Sequence, residues 1–325
     1  MFSTKLLRWF GRAKRDLPWR EEPRIPYRVW VSEVMLQQTR VDVVIPYYQR
    51  FLRRFPTLRA LAEAPLDDVL ALWSGLGYYS RARNMHKAAQ ACKGALPRTA
   101  AALRKLPGFG PYTAAAVASL AFGEDVPLVD GNVARVLARV FRLKGDAREE
   151  SWTVAARLLP KGRAGAFNEA LMELGATVCT PRAPRCGECP VSAGCLGRDA
   201  PEEYPQPRKR PDRPQLEWQA LALLRSDGAV LLARRPEGTL FAGLWDLPAP
   251  EIELPGVRRH GALADCGVVE QTLTHREVRV TIQRGRGSGA PRTDGLRWVL
   301  PAQLGSLGLS SLARKSLRKA GIAGA

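Results

Sequence analysis

The sequence predicts a two-domain chain, an all-α domain followed by a small α+β domain, and three observations predict it. From Leu6 to about Cys195 the apolar residues recur at helical spacing, broken by turn signals at Phe55-Pro56-Thr57, Ala64-Pro65, Leu106-Pro107-Gly108 and Leu159-Pro160. Residues 201–215 are rich in proline and charge and almost devoid of large apolar side chains, so they read as a linker. Beyond them the texture changes to short β-type runs, Leu221–Leu224, Val230–Ala233, Val268–Leu273 and the alternating Val278, Val280 and Ile282. At 325 residues the chain exceeds the usual size of one hydrophobic core. The expected domains are therefore 1–200 and 216–325.

Taken in order, Met1–Arg15 is basic and acid-free and reads as a first helix, with the segment Arg15–Arg20 (RDLPWR) following at once. It lacks a secretory apolar region, and no apolar run approaches the ~20 residues that span a bilayer, so no membrane association and a cytoplasmic location are expected. Val29–Gln38 is a largely apolar helix carrying Glu33. Leu106–Ala114 reads as a helix end, a hairpin with Gly108 and Gly110, and a new helix opened by Pro111 at its first position. Asp130 directly precedes the periodic Val133, Val136, Leu137 and Val140, the place of an N-cap. Leu307–Lys319 closes the chain as a basic amphipathic helix.

Fifty Lys and Arg against 31 Asp and Glu leave a formal charge of +19, of which the first 200 residues hold +13. Such a surface attracts a polyanion, nucleic acid first, although an Arg-rich composition alone does not establish one.

Four features carry chemistry. Cys179, Cys186, Cys189 and Cys195 fall in one short loop of a chain with six cysteines in all. Four thiolates hold either an iron–sulfur cluster or a tetrahedral zinc, and the spacing alone leaves both open. Gly108 and Gly110 let the backbone turn tightly and present N–H groups at a helix N-terminus, where a phosphate oxygen is stabilised. Asp130 at a positive helix end is expected to have its pKa lowered and to stay ionised, as an oxocarbenium-like transition state requires of a facing carboxylate. A plain helix cap is the other reading. Glu33 has Val29, Trp30, Leu36 and Gln37 as helical neighbours and no basic partner on its own helix. Desolvation then raises its pKa and makes it a general acid, unless it sits at the wet edge of the helix.

Together with RDLPWR and the cysteine loop, SEVMLQQT at Ser32–Thr39, GLGYYSRARN at Gly75–Asn84, VDGNVARVLAR at Val129–Arg139 and FNEALMELG at Phe167–Gly175 resemble the MutY family of adenine glycosylases within the endonuclease III superfamily. The resemblance implies a helix-hairpin-helix over about 103–117, a single [4Fe–4S] cluster on the 179–195 loop, and a C-terminal Nudix-like domain. It implies catalytic roles for Glu33, Asp130, Asn132 and Tyr112, with Tyr112 expected to hydrogen-bond Asp130. Arg15, Trp19, Arg20, Trp30, Leu36 and Glu169 would line an adenine pocket, Gln38 and Tyr78 would enter the base stack with Gly108 and Gly110 on the backbone, and Arg135 would tie the Asp130 helix to the cluster loop.

The substrate so implied is double-stranded DNA with adenine opposite 8-oxoguanine or guanine, bound by a monomer on the nucleoid. Tyr112 stands where endonuclease III-like enzymes carry an attacking Lys, so a glycosylase without a lyase step is expected; Ala134 replaces a further family lysine. In the second domain LLARRPEGTLFAGLWDLPA at Leu231–Ala249 matches the Nudix-like pattern, but the following Glu251–Pro255 cannot supply the Glu-rich metal helix of a hydrolase. Leu273-Thr274-His275 stands where the family has Phe-Ser-His, which implies contact of Thr274 and His275 with 8-oxoguanine. The competing readings are a bifunctional glycosylase/lyase and a non-catalytic cluster-bearing module that binds DNA lesions.

Overall fold

The computed structural model describes residues 2–206 and 212–322. The chain divides into two compact units, Met1–Ala62 with Lys87–Lys209 and Glu63–His86 with Arg210–Ala325. Residues 207–211, in the middle of the expected linker, lie outside the described residues.

Up to residue 206 the described chain is helical: α1 Phe2–Ala13, α2 Pro26–Leu36, α3 Val41–Arg54, α4 Leu58–Glu63, α5 Leu66–Trp73, α6 Ser80–Ala91, α7 Ala100–Leu103, α8 Pro111–Phe122, α9 Gly131–Phe141, α10 Ala147–Leu158 and α11 Ala164–Thr177. In the first unit α8 is central, packed against α2, α7 and α11. Its sequence explains this. Pro111 opens it, Gly123 at φ +73° ends it in the left-handed region, and Thr113–Ser119 between are small and buried. Small side chains let α11 come close: a Cβ on Gly165 would lie 2.7 Å from the Ser119 carbonyl oxygen.

Helix α9 is amphipathic, with Val133, Val136, Leu137 and Val140 packed on Leu6 and Phe10 of α1 and on Phe167, Leu171 and Leu174 of α11. Each such side chain contributes ~1.5–3 kcal/mol by leaving water. The side chain of Asp130 caps α9 by accepting from Val133 N–H at 2.7 Å.

The second unit is built on a six-stranded mixed sheet of β1 Gln215–Leu224, β2 Val230–Arg234, β3 Trp245–Asp246, β4 Val257–Thr272, β5 Glu277–Gly289 and β6 Leu296–Val299. The order is β3-β2-β1-β5-β4, with β6 also on β2; β1 and β5 run parallel and the other pairs antiparallel. Both faces are covered. Ala220, Ala222, Val280 and Ile282 lie against Leu312 and Leu317 of α12 (Ser311–Lys319), and Leu221, Leu223 and Leu231 form a second cluster on the other side. This is why the end of β1 reads as an unbroken apolar run rather than an alternation.

Residues 63–86 pack within this unit: Ser74 Oγ and Tyr79 OH both donate to the Leu309 carbonyl, at 2.9 and 3.0 Å. The last helix is shorter than expected because Ser310 caps it, accepting from Ala313 N–H at 2.9 Å, and the preceding Leu307–Leu309 runs alongside Trp245. The strands β4 and β5, of 16 and 13 residues, run well beyond the expected segments. Their outer halves are rich in Arg and Gly, so the apolar pattern fades while the hydrogen-bonded ladder continues. Among the described residues no helix is long and apolar enough to cross a membrane.

Candidate active site

A cavity of about 1100 Å³ opens in the helical unit. Arg15, Trp19, Arg20, Glu33, Leu36, Gln38, Gly108, Gly110, Tyr112, Asp130, Asn132 and Glu169 all line it, brought there from five separate stretches of chain. Trp30 does not line it. It is 1% exposed, with its ring stacked on Phe109 of the hairpin at 5.1 Å. One turn of α2 before Glu33, Trp30 is buried in the core behind the cavity lining, where it packs on the hairpin.

Glu33 is only 4% exposed, so the wet-edge alternative falls away. Burial pushes its carboxyl up to about 7; the hydrogen bond from Tyr112 opposes that rise, the carboxylates of Glu169 and Asp130 add to it, and Arg20 subtracts. Tyr112 OH donates to Glu33 Oε2 and lies 3.5 Å from Met172 Sδ. The expected Tyr112–Asp130 bond is replaced by Tyr112–Glu33, because the first turn of α8 packs on α2. Burial raises the phenol well above its ordinary range, and the two carboxylates add to that, so Tyr112 remains a donor.

Asp130 receives Val133 N–H on Oδ1 and Asn132 Nδ2 on Oδ2, at 2.7 and 3.0 Å. Even so, burial outweighs these bonds and the carboxyl stands above its usual range, the reverse of what the helix end alone predicts. Local dipole arguments assume an exposed terminus, and here Asp130 is half-buried beside the same cavity as the buried Glu33.

The floor of the cavity is an ion-pair network that chain order conceals. Glu173, on α11 one turn beyond Glu169, accepts from Arg15 Nε and Nη2 at 2.7 and 3.0 Å and from Arg20 Nη2 at 3.0 Å. Glu169 accepts from Arg20 Nε at 3.1 Å and Arg24 Nη2 at 2.9 Å. Neither Glu173 nor Arg24 stood out in the sequence. A signal was present, however: two acids at i, i+4 on a buried helix face repel unless cations meet them, and Arg15, Arg20 and Arg24 form one short arginine-rich stretch able to do so.

At the hairpin, Gly108 has φ +77° and uses glycine's freedom, whereas Gly110 is an extended N-cap at φ −73° and has no such need. Gln38 and Tyr78 hold φ of +58° and +48°, a strained region for residues with a Cβ and a frequent mark of functional positions. Tyr78 belongs to the second unit, where its hydroxyl meets that of Thr274; Thr274 and His275 are both exposed at the β4–β5 turn.

Cys179, Cys186, Cys189 and Cys195 surround a second, smaller cavity. Among the described residues no three His, Cys, Asp or Glu side chains converge as around a single metal ion. Four thiols ringing a shared space are the donor set of a cluster, so these residues fit one. Arg135 Nε donates to the Cys179 carbonyl at 2.9 Å, and Arg139 Nη1 to Cys179 Sγ at 3.4 Å and to the Thr180 carbonyl at 2.6 Å. The expected tie between α9 and the loop is therefore present, made by two arginines rather than one.

A helix-hairpin-helix beside a cavity that holds a buried and a half-buried carboxyl, and a four-cysteine loop, define a base excision DNA glycosylase. Residues 31–161 match the HhH-GPD superfamily of base excision DNA repair proteins, 179–195 the iron-sulfur binding domain of endonuclease III, and 219–319 the NUDIX domain. The sequence is 35% identical to the adenine DNA glycosylase of Rattus norvegicus, over 98% of this chain and 77% of that one. It is 36% identical to that of Homo sapiens, over 98% and 73% respectively. A thermostable thymine-DNA glycosylase of known structure superposes with a TM-score of 0.56 at 30% identity, over 61% of this chain and 95% of that one.

The chain belongs to the adenine DNA glycosylase family. It is a DNA-binding enzyme of base excision repair, with a helix-hairpin-helix domain, a Nudix-like domain and a [4Fe–4S] cluster carried by the 179–195 loop.

Proposed function

We propose that this adenine glycosylase is monofunctional and releases adenine paired with 8-oxoguanine or guanine. The observation that carries this reading is Glu33, buried, held near neutrality and bonded to a tyrosine rather than placed beside an amine. At pH 7 about half of such carboxyls keep their proton. The flipped adenine enters the cavity and Glu33 protonates its N7, which turns the base into a leaving group. As the N-glycosyl bond breaks, positive charge develops on the sugar, and Asp130, oriented by Asn132 and Val133 N–H, stabilises it. Glu33, now ionised, takes a proton from the water that adds to C1′, and an abasic site remains.

In this reading Arg15, Trp19, Arg20, Leu36 and Glu169 form the adenine pocket, with Gln38 and Tyr78 in the stack and Gly108 and Gly110 on the backbone. Cys179, Cys186, Cys189 and Cys195 would hold the cluster, and on the loop so ordered Arg182 and Arg185 would meet phosphates. Residues 1–200 carry excision and 216–325 lesion reading, with Thr274 and His275 at 8-oxoguanine. Residues 247–256 form turns rather than a helix, which supports recognition without Nudix hydrolysis. The enzyme acts as a monomer on the nucleoid.

The test is adenine release from labelled duplexes with adenine opposite 8-oxoguanine, guanine, cytosine or thymine, each with and without hot alkali. Breakage only after alkali, and only with the first two, is expected. Breakage without alkali on an intact sugar would instead favour a bifunctional lyase.

A further inference from the structure

The outer end of the β4–β5 hairpin carries a cluster of cations that adenine excision does not use. The register pairs Arg258 with Ser288, His260 with Arg286 and Ala264 with Arg284, so Arg258, His260, Arg284, Arg286 and Ser288 project from one face. The His260 Nε2 to Ser288 Oγ contact of 2.6 Å agrees with that parity. The opposite face is filled: a Cβ on Gly285 would meet Leu263 and Leu223, and one on Gly287 would meet Trp298. Arg258, Arg284 and Arg286 are exposed. Helix α12 extends the same side, since its end lies beside Arg284 and its sequence, SLARKSLRK, holds no acid.

Among the described residues no counter-charge answers these arginines. The ion pair on this hairpin is Arg279–Glu270, at 3.8 Å, and it projects from the other face. Asp265, on the hairpin itself, pairs in register with Gln283, whose side chain projects from the other face, and accepts from Gly267 N–H at 2.7 Å; Glu251, Glu253 and Asp294 sit in the flanking loops and form no ion pair with the cluster. Like charges gathered without partners destabilise a free sheet face and suit a polyanion. Thr274 lies past the far end of the same hairpin, on the order of 40 Å away at ~3.3 Å of rise per residue. DNA held here is thus remote from the lesion-reading turn.

We infer that this face, Arg258, Arg284 and Arg286 with α12 behind them, is a second binding surface for the sugar-phosphate backbone of duplex DNA, indifferent to sequence and to damage. A DNA enzyme of charge +19 meets no more abundant or more uniformly charged partner than undamaged duplex, which favours it over an acidic protein. A second hold on the backbone lets the enzyme stay on DNA between lesions. The inference does not depend on which mispair is excised.

The test compares the full-length, cluster-loaded protein with the triple variant Arg258→Ala, Arg284→Ala, Arg286→Ala, binding an undamaged labelled duplex across a salt series. Each phosphate that the variant no longer neutralises lowers the slope of log K against log salt by ~0.9, so a fall of ~2–3 is expected. The corresponding triple lysine variant keeps the slope, and single-turnover adenine release at saturating enzyme is unchanged in both. An unchanged slope in the alanine variant would overturn the inference and leave the face to an acidic protein. Loss of release or of cluster absorbance would also overturn it, by showing that the arginines support the fold.

Discussion

Replacing Glu33 with Gln separates the two consequences of burying a carboxyl. The amide keeps an acceptor for Tyr112 OH and nearly the same volume, so the cavity survives while the titrating proton is lost. The folded carboxyl titrates near 7 and the unfolded one near 4.5. Between those values the unfolded chain ionises freely and the folded chain does not, so stability is lost as pH rises through this window and is level above it. At 1.36 kcal/mol per pKa unit the loss amounts to ~3 kcal/mol, and E33Q should lack it. Denaturant unfolding of both proteins at pH 5 and pH 8 measures the difference: E33Q should gain ~3 kcal/mol on the wild type between the two. Adenine release by E33Q should fall by at least ~10²–10⁴ with DNA binding retained. Equal pH dependence of stability in the two proteins would refute the buried, proton-holding Glu33, and full activity in E33Q would refute its role as acid.

Three further outcomes follow from the same geometry. Removing the phenol with Tyr112→Phe takes away the bond that holds Glu33 down, so the alkaline limb of the release profile should move to higher pH, read from single-turnover rates between pH 5 and 9. Asp130→Asn should abolish release, yet shift the melting temperature little, because Asn caps α9 about as well as Asp, within ~0.5 kcal/mol. Glu173→Gln removes a buried carboxylate from Arg15 and Arg20 while Arg20 keeps Glu169, and should destabilise by ~1.5–3 kcal/mol. Burial alone would raise Glu173, but its bonds from Arg15 and the charge of Arg20 hold it below the usual range, so its stabilisation is present above the unfolded pKa and fades in acid. The melting difference between E173Q and wild type should therefore shrink below about pH 4.

What could be read in advance follows the range of the physics. The N-cap at Asp130, the start of α8 at Pro111 and the absence of a partner for Glu33 on α2 depend on neighbours within four residues, and all are present. The Tyr112–Glu33 bond and the Arg15–Glu173 pair join residues 79 and 158 apart, and no local pattern specifies which helices meet. Trp30 illustrates the intermediate case: its burial was legible from an apolar helix, but not its stacking on Phe109 of the distant hairpin. The long β4–β5 ladder was hidden for a different reason, since an exposed strand end has no apolar face to announce it.

Helix α9 begins at the Asp130 cap and, ~14 Å further on at 1.5 Å per residue, presents Arg139 to the cysteine loop. The same rod fixes the position of the Asp130 carboxylate, proposed to act on the sugar, and the fastening of the cysteine loop. The cysteine loop and the Asp130 carboxylate are thereby mechanically joined. A displacement of the cysteine loop would reach the Asp130 carboxylate along a single helix, with the packing of α9 on α1 and α11 as the resistance it meets.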